Sequence, residues 1–314
     1  MTNLYLGLLL LAALPVAVFA VEKFAPGRAA AIALGFERRR AGLVWDCISI
    51  PGADMPYLEG GQGETIVLLH SFGGDKDNFI RTAVYLTRHY HVVIPDLPGF
   101  GEASRDAGAR YSIDQQAANL RAFLYKLGLD RVHLGGNAMG GFIATEFAAR
   151  YPAQVASLWL LSAAGTAAAT DSDVVRHYAA TGTVPWLMPN ADAFDAMLSA
   201  CTTRMPFLPS SFRRHLGLRG AADFALHSDV LRELQNSPFL EARFYRIDVP
   251  ALIVWGSEDR VHNAAGADAL QAIMPNSRVI RMAGIGHLPV VEAPRRCAAD
   301  YRAFLATLPR DDVA

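Results

Sequence analysis

From about residue 65 onward, short unbroken apolar runs alternate with longer stretches in which apolar positions recur every three to four residues. The runs cover residues 65–70, 91–95, 155–161 and 251–255, and a weaker last one covers 278–282. Runs of this length without polar alternation predict strands covered on both faces, as in a parallel sheet. Two further strands, 45–50 and 55–59, flank the turn Pro51-Gly52 and read as edge strands. Ser112-Ile113-Asp114-Gln115 has the S-x-x-Q form of a capping box; it opens a helical pattern to about Leu127, stopped by Gly128. Strand and helix in alternation predict an α/β fold with a doubly wound, mostly parallel sheet. The rhythm breaks over residues 166–247, which are helical in pattern and hold the apolar stretches 184–188 and 205–209. That interval reads as an inserted helical cap, leaving 43–165 and 248–314 as the core.

The N-terminal end follows a different pattern. Leu4 to Val21 is an uncharged run of 18 residues. At about 1.5 Å per helical residue it nearly spans a hydrocarbon core of roughly 30 Å. Phe24 and Ala25 extend it if Lys23 snorkels, and Pro15 kinks it without forbidding it. The pattern favours a transmembrane anchor over residues 1–23. A cleaved signal peptide and a buried core helix are the competing readings: Val18-Phe19-Ala20 would serve as a cleavage site, but no Lys or Arg precedes the run. Over residues 24–42, Ile32, Leu34 and Phe36 are followed by Arg38, Arg39 and Arg40. This segment is either an amphipathic helix lying along the headgroups or a solvated linker helix. The positive charges near the span all lie on its C-terminal side, which favours a cytoplasmic domain.

Composition narrows the function. A chain of 314 residues that is 52% hydrophobic has ample core for one large domain with an insertion. With 29 basic and 30 acidic residues there is no basic excess for nucleic acid. Cys47, Cys201 and Cys297 are scattered and odd in number, and form no disulfide framework. The histidines show no H-E-x-x-H and no metal spacing, so neither metal nor other cofactor is expected.

The candidate chemistry begins at Leu134-Gly135-Gly136-Asn137-Ala138-Met139-Gly140-Gly141. An apolar run leads in and a helical pattern leads out. That strand, glycine turn and helix is the context of the nucleophile elbow, G-x-S-x-G. Here it reads Gly136-Asn137-Ala138-Met139-Gly140, with alanine at the tip. A dinucleotide-binding turn, G-x-G-x-x-G, would need glycine at 138. Together with His70-Ser71-Phe72-Gly73-Gly74-Asp75-Lys76-Asp77-Asn78-Phe79, Asp96-Leu97-Pro98-Gly99-Phe100-Gly101 and Gly284-Ile285-Gly286-His287, the elbow resembles the α/β-hydrolase superfamily over roughly residues 45–308. The first of these stretches and G-N-x-M-G-G are similar to bacterial lipases and esterases. With the apolar N-terminus, the resemblance narrows to single-span inner-membrane phospholipases A of Gram-negative bacteria. C–C bond hydrolases of aromatic degradation share G-N-x-M-G-G but normally lack the span.

The resemblance implies a site. In this fold the triad runs nucleophile, acid, histidine. Position 138 is the nucleophile position, Asp259 in Trp255-Gly256-Ser257-Glu258-Asp259 is the acid with Glu258 as its competitor, and His287 is the base. The oxyanion donors are the amides of Met139 and, by resemblance, Phe72. His70, Ser71, Gly136, Asn137 and Gly140 support the elbow and the oxyanion loop; Ser71 stands where the family usually has glycine. Asp75 to Asn78 organise that loop and the next helix start. Trp186, Leu187, Met188, Phe207, Leu208 and Leu288 are the candidate acyl-chain contacts.

Alanine at 138 has two explanations: a serine-to-alanine variant made to trap substrate, or a natural pseudoenzyme that keeps a lipid pocket. The retained Asp259 and His287 favour the first. The implied function is a membrane-anchored carboxylic ester hydrolase of phospholipase A, lysophospholipase or esterase type, with phospholipid or fatty-acyl ester as substrate, fatty acid as ligand, and this chain nearly inactive. A C–C bond hydrolase, a soluble exported esterase and a non-catalytic lipid-binding protein are the alternatives. The resemblance also implies a single-pass bacterial inner-membrane protein with a periplasmic catalytic domain, against the charge rule above, and a homodimer.

Overall fold

The structure, a computed structural model, describes residues 24–106 and 108–309. The anchor expected over residues 1–23 lies outside the described residues. Among those described, no helix is long and apolar enough to cross a membrane.

Helix α1 (Pro26–Arg40) precedes an eight-stranded sheet ordered β1-β2-β4-β3-β5-β6-β7-β8. The strands are β1 (Val44–Ile50), β2 (Ala53–Gly60), β3 (Thr65–Leu69), β4 (His91–Pro95), β5 (Val132–Asn137), β6 (Val155–Leu161), β7 (Ala251–Gly256) and β8 (Ser277–Met282). The first two run antiparallel; β2 pairs on with β4, and every later pairing is parallel. β1 is therefore the edge, and β2, expected at an edge, lies inside the sheet.

The apolar runs feed two cores because successive side chains point to opposite faces. Val67 and Leu69 enter one core, and Ile66 and Leu68 the other. β6 splits the same way, with Leu158 and Leu160 on one face and Trp159 and Leu161 on the opposite one. The first face is covered by α3 (Ile113–Lys126), α4 (Met139–Arg150) and α10 (Ala265–Ile273). The second is covered by α2 (Ile80–Leu86) and α11 (Pro294–Leu305), where Trp159 stacks on Tyr301 with centroids 4.3 Å apart. β8 has open positions at Arg278 and Arg281, and such charges keep an edge from pairing with another chain.

One expectation about helix starts is corrected. Ser112 precedes α3 but its side chain accepts no capping bond from the helix. Its oxygen instead accepts from an Arg110 guanidinium nitrogen at 3.4 Å. A complete capping box occurs at Asp75 and Asn78, opening the short 3-10 turn Lys76–Phe79.

The cap lies between β6 and β7. It contains α5 (Ala167–Thr170), α6 (Asp173–Thr181), α7 (Ala193–Cys201), α8 (Ser210–Ala222) and α9 (Phe224–Gln235). Thr166 caps α5, its Oγ1 accepting the Ala169 amide. Met188, Phe194, Leu198 and Cys201 of the cap pack against Val261 and Leu288. α1 packs on α8 and α2. Its arginines are partly spent on protein partners: Arg38 pairs with Asp77 and Arg40 with Glu37. To that extent they are less free for headgroup phosphates, one of the two readings of this segment. Ile32 and Phe36 remain exposed, whereas Leu34 packs against the core.

Candidate active site

Strand order reverses between β3 and β5, which lie side by side while their neighbours lead away in opposite directions. Open α/β sheets bind ligands at such a point, beyond the carboxyl ends of the strands. Both stretches singled out in the sequence leave from here: β3 runs into His70–Asn78, and β5 into the elbow.

At the elbow, Ala138 has φ +50° and ψ −111°, outside the ordinary regions for an L residue. The surroundings hold it there. Its amide donates to Leu161 O at 3.0 Å, and its carbonyl accepts from the Phe142 and Ala164 amides. The turn needs glycine on both sides. A Cβ on Gly136 would lie 2.2 Å from the Gly140 carbonyl carbon, and one on Gly140 would lie 2.2 Å from Leu69 O. Asn137 Nδ2 donates to Leu161 O at 2.8 Å and to His287 O at 3.2 Å, tying the elbow to the histidine loop.

His287 is 4% exposed, and its amide donates to Cys201 O of the cap. Its Nδ1 lies 3.1 and 3.0 Å from the two oxygens of Asp259. Asp259 Oδ1 also accepts the Val261 and His262 amides at 2.9 and 3.0 Å. Burial pushes the Asp259 carboxyl up; the charge and hydrogen bond of His287 outweigh it and hold the group below its ordinary range. Glu258, the competing acid, is exposed and pairs with Ser257 Oγ.

These groups converge on one cavity of about 820 Å³, lined by Ala138, Met139, Phe72, Ser71 and His287. The amides of Phe72 and Met139 donate to none of the described residues. The expected contacts Trp186, Met188, Phe207, Leu208 and Leu288 all line the cavity. Leu187 does not: the turn closed by its amide on Val184 O puts Trp186 and Met188 on the lining and leaves Leu187 off it. Ala33, Leu34 and Phe36 of α1 also border the cavity, which sequence reasoning did not anticipate.

His70 is fully buried. Its Nε2 accepts the Leu97 amide at 3.0 Å, so the proton sits on Nδ1 and donates to Ser71 O at 2.8 Å. Burial pulls its pKa down to about 4, while the Ser71 hydrogen bond opposes the shift. The unfolded chain, near 6.5, binds this proton more readily than the folded one. Stability from this group is therefore full above about pH 6.5 and is lost as pH falls toward 4. Urea unfolding should give about 2 to 3 kcal/mol less stability from this group at pH 4.5 than at pH 7.5. His70→Asn should flatten that slope; an unchanged slope would remove the assignment.

Two residues were missed. His262 packs edge-on against His287, with centroids 4.8 Å apart, and its Nδ1 lies 2.9 Å from Ser162 O. Burial, then the charge of His287, lower its pKa to about 4. Its place in the loop after Asp259 was the available signal. Glu292 accepts the Gly286 amide at 2.8 Å and the Thr203 amide at 2.8 Å, joining the histidine loop to the cap. No local pattern marks that role.

Residues 64–294 match the family model for the alpha/beta hydrolase fold. The chain belongs to the α/β-hydrolase family. Within the family this α/β hydrolase is of the lipase/esterase type. It is 34% identical to Lipase 3 of Moraxella sp. (strain TA144) over 86% of the chain and 87% of that protein. It is 30% identical to monoacylglycerol lipase ABHD6 of Homo sapiens over 80% and 78% of the two chains. Among solved structures it is similar to a membrane phospholipase A described as a bacterial virulence factor. That match has a TM-score of 0.87 and 36% identity and covers 98% of each chain.

Proposed function

We propose that this α/β hydrolase has the architecture of a membrane-anchored serine carboxylic ester hydrolase acting on phospholipids or other fatty-acyl esters, with residue 138 as its nucleophile position. The observation that carries the reading is the convergence on one largely apolar cavity of a strained residue 138, the His287–Asp259 pair and two amides that have no partner among the described residues. With serine at 138, the hydroxyl would pass its proton to His287 Nε2 as it attacks the ester carbonyl. Asp259 would hold the proton on Nδ1 and stabilise the imidazolium. The Phe72 and Met139 amides would take the charge of the tetrahedral oxygen. His287 would then protonate the departing alcohol, and water would release the acid by the same steps. With alanine at 138 the first step has no nucleophile, so this chain is close to inactive.

The lipid preference rests on the cavity lining and on the phospholipase A and lipases to which the chain is similar. Membrane attachment rests on the apolar run 4–21 and on the exposed Phe24, Ile32 and Phe36, of which Phe36 lines the cavity. A second reading, a lipid-binding protein without catalysis, is favoured by Ala138 itself. The test is mass spectrometry of phosphatidylethanolamine and phosphatidylglycerol vesicles incubated with the Ala138→Ser protein. Release of fatty acid and lysophospholipid is expected. Cleavage of short soluble esters alone would leave an exported esterase. No cleavage of either, with acyl chains co-purifying, would favour the lipid binder.

A further inference from the structure

The run Asp75-Lys76-Asp77 follows the loop that carries the Phe72 amide, and each of its side chains is tied to a different part of the molecule. Asp77 receives a two-pronged contact from Arg38 of α1, Nε to Oδ1 at 2.8 Å and a terminal nitrogen to Oδ2 at 2.7 Å. Lys76, 1% exposed, gives both its amide and its Nζ to Asp96, just past β4, each at 2.7 Å. Asp75, its side chain 5% exposed, meets Arg219 of α8 at 2.6 Å. Glu102 closes the cluster 3.1 Å from Lys76 Nζ.

The capping box accounts for Asp75 and Asn78 alone. It does not explain a buried lysine, or an arginine brought from 39 positions upstream to meet Asp77. Buried charges are costly unless paired, and the fork of an arginine on a carboxylate fixes direction as well as distance. What they fix is a short turn. Ser71 O accepts the Gly74 amide, and Gly73 has φ +68°. Glycine makes this turn soft, so its direction is set at its ends. One end is pinned by His70 through Leu97 and Ser71. The other is pinned by the three ion pairs. α1 and α8, which supply the two arginines, pack against each other and both border the cavity.

We propose that Arg38 and Arg219 are positioning residues for the Phe72 oxyanion donor, so that this donor is correctly aimed only when α1 and the cap are both seated. Moving the packed α1–α8 pair then disarms the site without touching Asp259, His287 or residue 138. This rests on the hydrolase reading above.

The test has two parts. In the Ala138→Ser protein, Arg38→Ala should lower kcat on a short p-nitrophenyl ester on the order of 100-fold, the effect of losing one oxyanion donor, with KM nearly unchanged. Arg38→Lys should recover only part of this, because an ammonium cannot make the forked contact. Asp77→Asn should cost the same, and the double variant no more than either single one. In the chain as it stands, Arg38→Ala should speed amide hydrogen exchange over residues 71–78 and leave β7 unchanged. Arg219→Ala should do the same from the cap side. If exchange over 71–78 does not change, or if KM moves while kcat does not, the proposal is overturned. If Ala138→Ser has no esterase activity but exchange rises over 71–78, the clamp stands and the hydrolase reading fails.

Discussion

Ala138→Ser should raise the turnover of p-nitrophenyl esters on the order of 10⁶-fold over the chain as it stands, since the loss of a triad nucleophile costs about that much. The size of the expectation depends on how much of the machinery is already in place. Residue 138 holds φ +50° with only a methyl side chain, so the strain comes from the surroundings and not from a serine hydrogen bond. Such a conformation costs on the order of 1–3 kcal/mol and persists only where neighbours over-determine it. Here the neighbours are Leu161, Phe142 and Ala164, together with two glycines that leave no room for a Cβ. An added hydroxyl oxygen would enter the cavity that the alanine already lines together with His287. No backbone change is needed. Steady-state kinetics on a short ester checks this, with Ala138→Gly as the control that adds no nucleophile. A gain of less than about tenfold would mean that one of the remaining groups is not poised, and would favour the lipid-binding reading.

The parts of this arrangement that the sequence made legible are those with a local signature. The strands were visible because both faces of each are buried, which leaves unbroken apolar runs at 65–69, 91–95 and 155–161. The elbow was visible because Gly136 must clear the first turn of α4 and Gly140 must clear the end of β3. Asp259 and His287 were visible through chain order and glycine-flanked loops. What was not legible depends on contacts between distant segments. Arg38 at the end of α1 has the look of a solvated terminal charge, and only the fold shows that it meets Asp77. Leu187 belongs to the same apolar stretch as Trp186 and Met188, and only the turn at Val184 decides which of them lines the cavity. Lys76 is 1% exposed, a burial that no composition rule anticipates for lysine without knowledge of Asp96.

Asp259→Asn, made in the Ala138→Ser protein, should lower kcat on the order of 10⁴-fold while leaving the fold intact. The direction follows from how Asp259 is held. Its Oδ1 accepts two backbone amides, from Val261 and His262, while Oδ2 lies 3.0 Å from His287 Nδ1. Asparagine would keep its carbonyl oxygen toward the two amides, because the reverse would set donor against donor. Its NH₂ would then occupy the Oδ2 position and donate to His287 Nδ1. That forces the imidazole proton onto Nε2, where the ring can no longer accept the serine proton. The side chain stays the same size and keeps its backbone bonds, so thermal unfolding should shift by only a few degrees, as expected for about 1 kcal/mol. Glu258→Gln is the matched control and should have little effect, since Glu258 is exposed and touches Ser257 rather than His287. Kinetics of the two variants side by side decide the assignment: a loss of less than about tenfold for Asp259→Asn, or an equal loss for Glu258→Gln, would take the acid role away from Asp259.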